Sequence, residues 1–265
     1  MAPTPDTHRN PCIRFDLLGD IAVRVAYENR FSELEPLLAR VEKPTRYINH
    51  EWGALYKPEA EHRCALIYPD VYEVGLPNQG IAILYRNLNE AEGLSCERGY
   101  IPWVDMADEM RAAGIPLLSL EGAAPIASFD VVGFHVPHEM ACTNYLEGLD
   151  LAGIPLHAAD RGEDNPIVIC GGPSVYNPEP LAPFFDCMMI GEGEEQIVEF
   201  CQRHRELRDA GASRHEMLRE LSKIGGVYVP SLYEVRHDEP CSPHGYTVPR
   251  EGEDVQPVVY KRVVK

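Results

Sequence analysis

Four short runs set polar or conformationally special residues directly after apolar segments. PDVYEVG (69–75) carries Asp70, Tyr72 and Gly75, and HVPHE (135–139) carries His135, His138 and Glu139. GGPSVYNPEP (171–180) carries Gly171, Gly172, Pro173, Asn177 and Glu179, and GEGEE (191–195) carries Gly191, Glu192 and Gly193 ahead of two further glutamates. A carboxylate such as Asp70 can hold an imidazole or cap a turn. The Tyr72 phenol, with a pKa near ~10, stays protonated at neutral pH and is a weak metal ligand. HVPHE has the composition of a metal trio, but Pro137 interrupts any helix across it, which removes the i, i+4 geometry of helical zinc motifs. His135 is then a ligand, a cofactor contact or a capped polar group. Glycine pairs after a strand allow close backbone approach. Glu194 and Glu195 suit the positive end of a following helix better than an acid–base pair.

The elements that hold these runs alternate between strand and helix patterns. CALIYPD (64–70), SCERGYIP (95–102), IPLLSL (115–120), DVVGFHV (130–136), NPIVICGGP (165–173) and CMMIGEG (187–193) read as strands. NQGIAILYRNLNEAEG (78–93), WVDMADEMRAAG (103–114), MACTNYLEGLDLAG (140–153) and EEQIVEFCQRHRELRDAG (194–211) read as helices, each stopped by a glycine. Continuous apolar strands alternating with helices predict a parallel sheet covered on both faces. The expected fold is α/β, doubly wound, with a mostly parallel five-stranded sheet. In such sheets ligands bind beyond the carboxyl ends of the strands, where the four runs fall.

Composition narrows the partners. The net charge of −18, from 42 acidic and 24 basic residues, repels a phosphate backbone, so this segment is not expected to bind nucleic acid. No run approaches the ~20 apolar residues of a membrane span and the start lacks a signal-peptide core, which predicts a cytoplasmic protein. The eight cysteines form no C-x-x-C or C-x-x-x-C-x-x-C cluster and read as small buried hydrophobes. Residues 1–60 read as a helical arm that must dock on something. Residues 61–211 read as the α/β domain, and 212–265 as a helix–strand extension whose final PVVYKRVVK predicts a continuation.

D-x-Y-x-x-G at Asp70, Tyr72 and Gly75 resembles the cobalamin-binding signature D-x-H-x-x-G with tyrosine in the histidine position. KPTRYINHEW, YPDVYEVGLPNQGIAILY, GGPSVYNPEPLAPFFD, IGEGEE and GVYVPSLYEV together resemble the opening portion of large radical SAM proteins that carry a cobalamin-binding-like domain in front. The resemblance covers roughly residues 35–265. It implies a Rossmann-like or flavodoxin-like fold and a corrinoid bordered by Asp70, Tyr72 and Gly75 below, by Gly171, Gly172 and Pro173 along the tail channel, and by Asn177, Glu179, Gly191, Glu192 and Gly193 at the rim. With Tyr72 in the histidine slot, cobalamin would bind without histidine ligation, unless His135 substitutes. The [4Fe–4S] cluster and S-adenosylmethionine would belong to a radical SAM catalytic domain absent from these residues, in cis or on a separate chain. A scaffold that docks on that domain without cofactor, and a flavin or nucleotide binder, are the two alternatives. The last of these lacks a glycine-rich phosphate loop after the first strand.

Overall fold

The computed structural model describes residues 29–49, 51–237 and 245–264; the opening MAPTPDTHRNPC, with Cys12, and Cys241 lie outside them. In chain order the main elements are α1 (Phe31–Leu34), β1 (His62–Tyr68), α2 (Tyr72–Gly75), α3 (Gln79–Glu90), β2 (Leu94–Tyr100), α4 (Val104–Ala113), β3 (Val131–His135), α5 (Cys142–Ala152), β4 (Ile167–Gly171), β5 (Cys187–Met189), α6 (Gln196–Asp209), α7 (Arg214–Leu221), β6 (Val227–Tyr228), β7 (Tyr233–His237) and β8 (Gly245–Pro249). The strands β1 to β5 are parallel; β3, β4 and β5 are nearly continuous in apolar burial, as expected for a sheet covered on both faces, whereas the edge strand β2 also buries Ser95 and Glu97.

The sheet runs β2-β1-β3-β4-β5-β6. The chain therefore steps outward from β1 to β2 and then crosses back to β3, which leaves a switch point between β1 and β3. α3 and α6 cover one face, joined where the Asn87 side chain donates to the Glu194 carbonyl at 3.0 Å. α4 and α5 cover the other, with Arg111 bridging to Glu147 and Asp150 and Phe134 packed edge-on against Tyr145 and Phe185.

Two strand assignments change. The sheet has six strands where five were expected: β6 adds antiparallel to β5 through Met188–Tyr228 and Met189–Val227. Conversely, IPLLSL forms no sheet strand. Its backbone is shared among several partners, with Leu117 N donating to Leu151 O, Ser119 N to Ala124 O and Leu120 N to Arg98 O, so an apolar run becomes a folded-over loop with one isolated bridge, Leu118 to Pro125. The main core continues from β1 through Leu221, Val227 and Tyr233. A second cluster seats the arm, with Leu34 and Leu37 against Met106, Met110 and Ile115.

The β2 edge buries a carboxylate that gives the fold a pH dependence. Glu97 accepts hydrogen bonds from Ser119 Oγ at 2.6 Å and Gly122 N at 2.8 Å, and burial pushes its carboxyl up to about 7. In the unfolded chain a glutamate ionises near ~4.3, so stability is full below that pH and is lost as pH rises through the folded value. Glu97→Gln removes this titration. Thermal melts should show wild type losing on the order of 2 kcal/mol relative to the variant between pH 5 and pH 8; parallel pH profiles would contradict the assignment.

Candidate functional site

At the carboxyl end of the sheet, on the face covered by α3 and α6, lies a cleft of about 280 Å³. Its floor is made by Leu66 of β1, Gly133 and His135 of β3, and Ile169 and Gly171 of β4. Gly80, Ile81 and Leu84 of α3 form one wall. Gly191 to Glu194, with Ile197 of α6, form the other. Gly80 and Gly193 bring no side chains into the cleft, and Asn78 caps α3 by accepting from Ile81 N at 3.0 Å. The position matches the switch point, where side chains from separated strands meet.

Three ionisable side chains line this volume: His135, Glu192 and Glu194. His135 stacks on Tyr68 with ring centroids 5.5 Å apart, and burial lowers its pKa, which keeps the imidazole neutral at pH 7. Glu194 Oε2 is buried and, among the described residues, has no hydrogen-bond partner. A neutral imidazole and two glutamates in one lining suit a ligand that offers N–H or O–H donors. Glu194 was read from the sequence as helix capping; its place between Gly193 and the first buried residues of α6 was the available signal.

The structure thus brings together His135, Gly171, Gly172, Gly191, Glu192 and Gly193. It sets the β1 loop apart. Tyr72 borders a different, much smaller cavity of about 50 Å³ with Tyr47 and Tyr100; its hydroxyl donates to Glu51 of the arm, and its ring meets Tyr100 edge-on at 5.5 Å. Asp70 borders a groove with Trp103 and Asn144, and its carboxylate accepts from Val71 N at 2.7 Å. Gly75 is buried where a Cβ would stand 2.6 Å from the Tyr100 ring. Pro173, Asn177 and Glu179 are exposed. Glu179 accepts from Tyr228 OH at 2.6 Å and Thr247 Oγ1 at 3.2 Å, away from the cleft.

The conformational freedom of Gly172 serves the protein's own packing. Its φ is +131°, and a Cβ would stand 2.7 Å from the Val136 carbonyl, against which the turn closes through Val136 N donating to Gly171 O at 2.7 Å. The connections and helix starts after β1 to β4 expose Val74, Trp103, Val104, Met140 and Tyr176. Among the described residues no group of three histidine, cysteine or acidic side chains could hold a metal ion, and no described helix is long and apolar enough to cross a membrane.

A family model described as the N-terminal region of radical SAM proteins matches residues 80–230. No curated protein matches the chain. Among solved structures, the chain is similar to a radical S-adenosylmethionine methyltransferase, TsrM, from Kitasatospora setae, solved with tryptophan substrate and a SAM analogue, aza-SAM, bound. The identity is 15% and the TM-score 0.38; the similarity covers 63% of this chain and 28% of that one. The chain therefore spans less than a third of that structure's length.

Proposed function

Because the chain belongs to the family of radical SAM N-terminal domains, we propose that it is an accessory domain that takes a corrinoid at the carboxyl edge of its sheet and serves a radical SAM catalytic domain, in cis or on a separate chain, in the cytoplasm. In this reading residues 61–211 hold the binding fold, the arm braces it, and residues 212–265 lead toward the catalytic domain. The cleft at the β1/β3 switch carries the proposal.

The residues present fit part of such a group. A cleft of about 280 Å³ accepts a heteroaromatic tail, whose ring edges and hydroxyls would meet His135 and Glu194, but not the macrocycle. The macrocycle would lie over the rim, where Val74, Met140 and Tyr176 offer apolar surface. When bound, a corrinoid supplies a redox-active cobalt for group transfer. The chain's own contribution is to bind and orient it and to exclude water from one face. Tyr72, committed to Glu51, leaves the cobalt without histidine ligation from that position.

A second reading has one observation behind it. The space beside Gly172, where a tail channel was expected, is taken by Val136, as in a cofactor-free scaffold that docks through its apolar rim. Mixing the purified chain with hydroxocobalamin and separating by gel filtration distinguishes the two. Co-elution of a corrin absorbance band is expected; no band at concentrations on the order of tens of micromolar, where a useful cofactor site must hold, would leave the scaffold. The flavin or nucleotide alternative lacks a glycine-rich phosphate loop after β1, which disfavours it.

A further inference from the structure

Residues 255–264 lie beyond the span that the family model matches, yet they back the cleft's outer wall. Val255 and Val259 pack on the main core. The chain then runs alongside the β5–α6 loop: Arg262 N donates to Ile190 O at 2.8 Å, and Glu192 N donates to Arg262 O at 3.0 Å. Val264 N donates to the Glu192 carboxylate at 2.5 Å. The two steps on either side of Gly191 are thereby bracketed by one short parallel bridge.

Gly191 is fitted to this segment. Its φ is +115°, and a Cβ would stand 2.2 Å from the Arg262 carbonyl oxygen and 2.4 Å from its nitrogen. The Arg262 side chain adds an exposed pair to Glu199 at 2.9 Å and a looser one to Glu195 at 3.8 Å, of the kind that contributes little. The backbone bridge is what holds. Without it, GEGE would be a glycine-rich run tied by Ile190 N to Gly226 O at 2.7 Å, by Ile197 N to Gly193 O at 3.0 Å and by Asn87 to the Glu194 carbonyl.

We propose that residues 259–264 act as a strap: seated against Gly191, they hold Gly191 to Glu194 as a fixed cleft wall, and unseated, they release it. Ligand capture in the cleft then depends on a segment that contributes no lining residue of its own. The link to ligand rests on the corrinoid reading above; the strap itself does not.

Two variants of the full chain separate these points. Arg262→Pro removes the N–H that bonds Ile190, whereas Arg262→Ala keeps the backbone bridge and removes only the surface pairs. Amide exchange measured without ligand should rise about tenfold or more across residues 190–195 in R262P and stay within about twofold of wild type in R262A, with β3 and β4 unchanged. Hydroxocobalamin affinity should fall about tenfold in R262P alone. Unchanged exchange in R262P overturns the strap. Faster exchange with unaltered corrinoid affinity overturns its control of the cleft. If wild type takes no corrinoid while R262P still loosens the loop, the corrinoid reading fails and the strap stands. Should R262P not fold, Gly191→Ala, which drives a Cβ into the Arg262 backbone, provides the same exchange measurement.

Discussion

Asp186→Ala should cost about 3–5 kcal/mol of folding stability, the range for removing one partner of a buried ion pair. Asp186 immediately precedes β5, and its Oδ2 accepts from Arg161 Nη1 at 3.0 Å, Arg214 Nη2 at 2.9 Å and Val168 N at 2.8 Å. The Asp186 and Arg161 side chains are almost wholly out of solvent, and that of Arg214 nearly so. Three further N–H donors of each guanidinium go to carbonyls: Arg161 bonds Pro155, Leu156 and Phe184, and Arg214 bonds Gly162, Asn165 and Pro166. Removing the carboxylate strands two buried positive charges and frees the Val168 amide. Against a typical total of about 5–15 kcal/mol, that is a large fraction. Asp186→Asn retains an acceptor and should lose less. Urea denaturation followed by circular dichroism measures both; a loss below about 1 kcal/mol for the alanine variant would mean that solvent reaches the cluster. This clamp sits at the amino end of β4 and β5, opposite the cleft, so the folded fraction should bind ligand unchanged.

That contrast shows what was legible in the sequence and what was not. The strands DVVGF and IVIC and the helices between them could be read because burial on both sheet faces writes itself as continuous apolar runs. IPLLSL carried the same signature without being a strand, since apolarity records burial and says nothing of which backbone partner a residue finds. β6 lies in a run, GVYVPSLYEVRHD, that resembles a strand interrupted by a proline, but its joining the sheet beside β5 rests on two residue pairs, too few to make a pattern. At the site, Gly172 and Gly191 were legible as places of close backbone approach. What approaches them, Val136 and Arg262, is set by contacts of 36 and 71 residues in sequence, which no local pattern encodes. The acid in PFFDCMM stands directly before an apolar strand, but its partners Arg161 and Arg214 come from separate segments. Tyr72 was placed by analogy with a histidine; the carboxylate that claims its hydroxyl belongs to the arm.

Gly171→Leu should abolish corrinoid binding, by about 100-fold or more, while leaving the fold intact. Gly171 ends β4 and lines the cleft floor on the same sheet face as Ile169. Its φ lies outside the left-handed region, and a Cβ there would meet Met189 Cβ at 3.6 Å and Met189 O at 3.8 Å, ordinary contacts. The backbone therefore accepts a side chain at 171, and the leucine would fill space between the α3 and α6 walls that a ligand needs. The adjacent Gly172 could not be used in this way, because its Cβ would drive into Val136. A denaturation midpoint equivalent to within about 1 kcal/mol of wild type is expected, as for a substitution that neither opens a cavity nor strains the chain. Hydroxocobalamin titration followed by corrin absorbance gives the affinity, with a 100-fold loss corresponding to about 2.7 kcal/mol. If the variant folds and binds as wild type does, the corrinoid lies elsewhere on the carboxyl edge, and the groove bordered by Asp70 and Trp103 becomes the next place to block. Loss of binding in G171L together with its weakening in R262P would tie floor and wall to one ligand volume, a coincidence that a rim-docking scaffold gives no reason to expect.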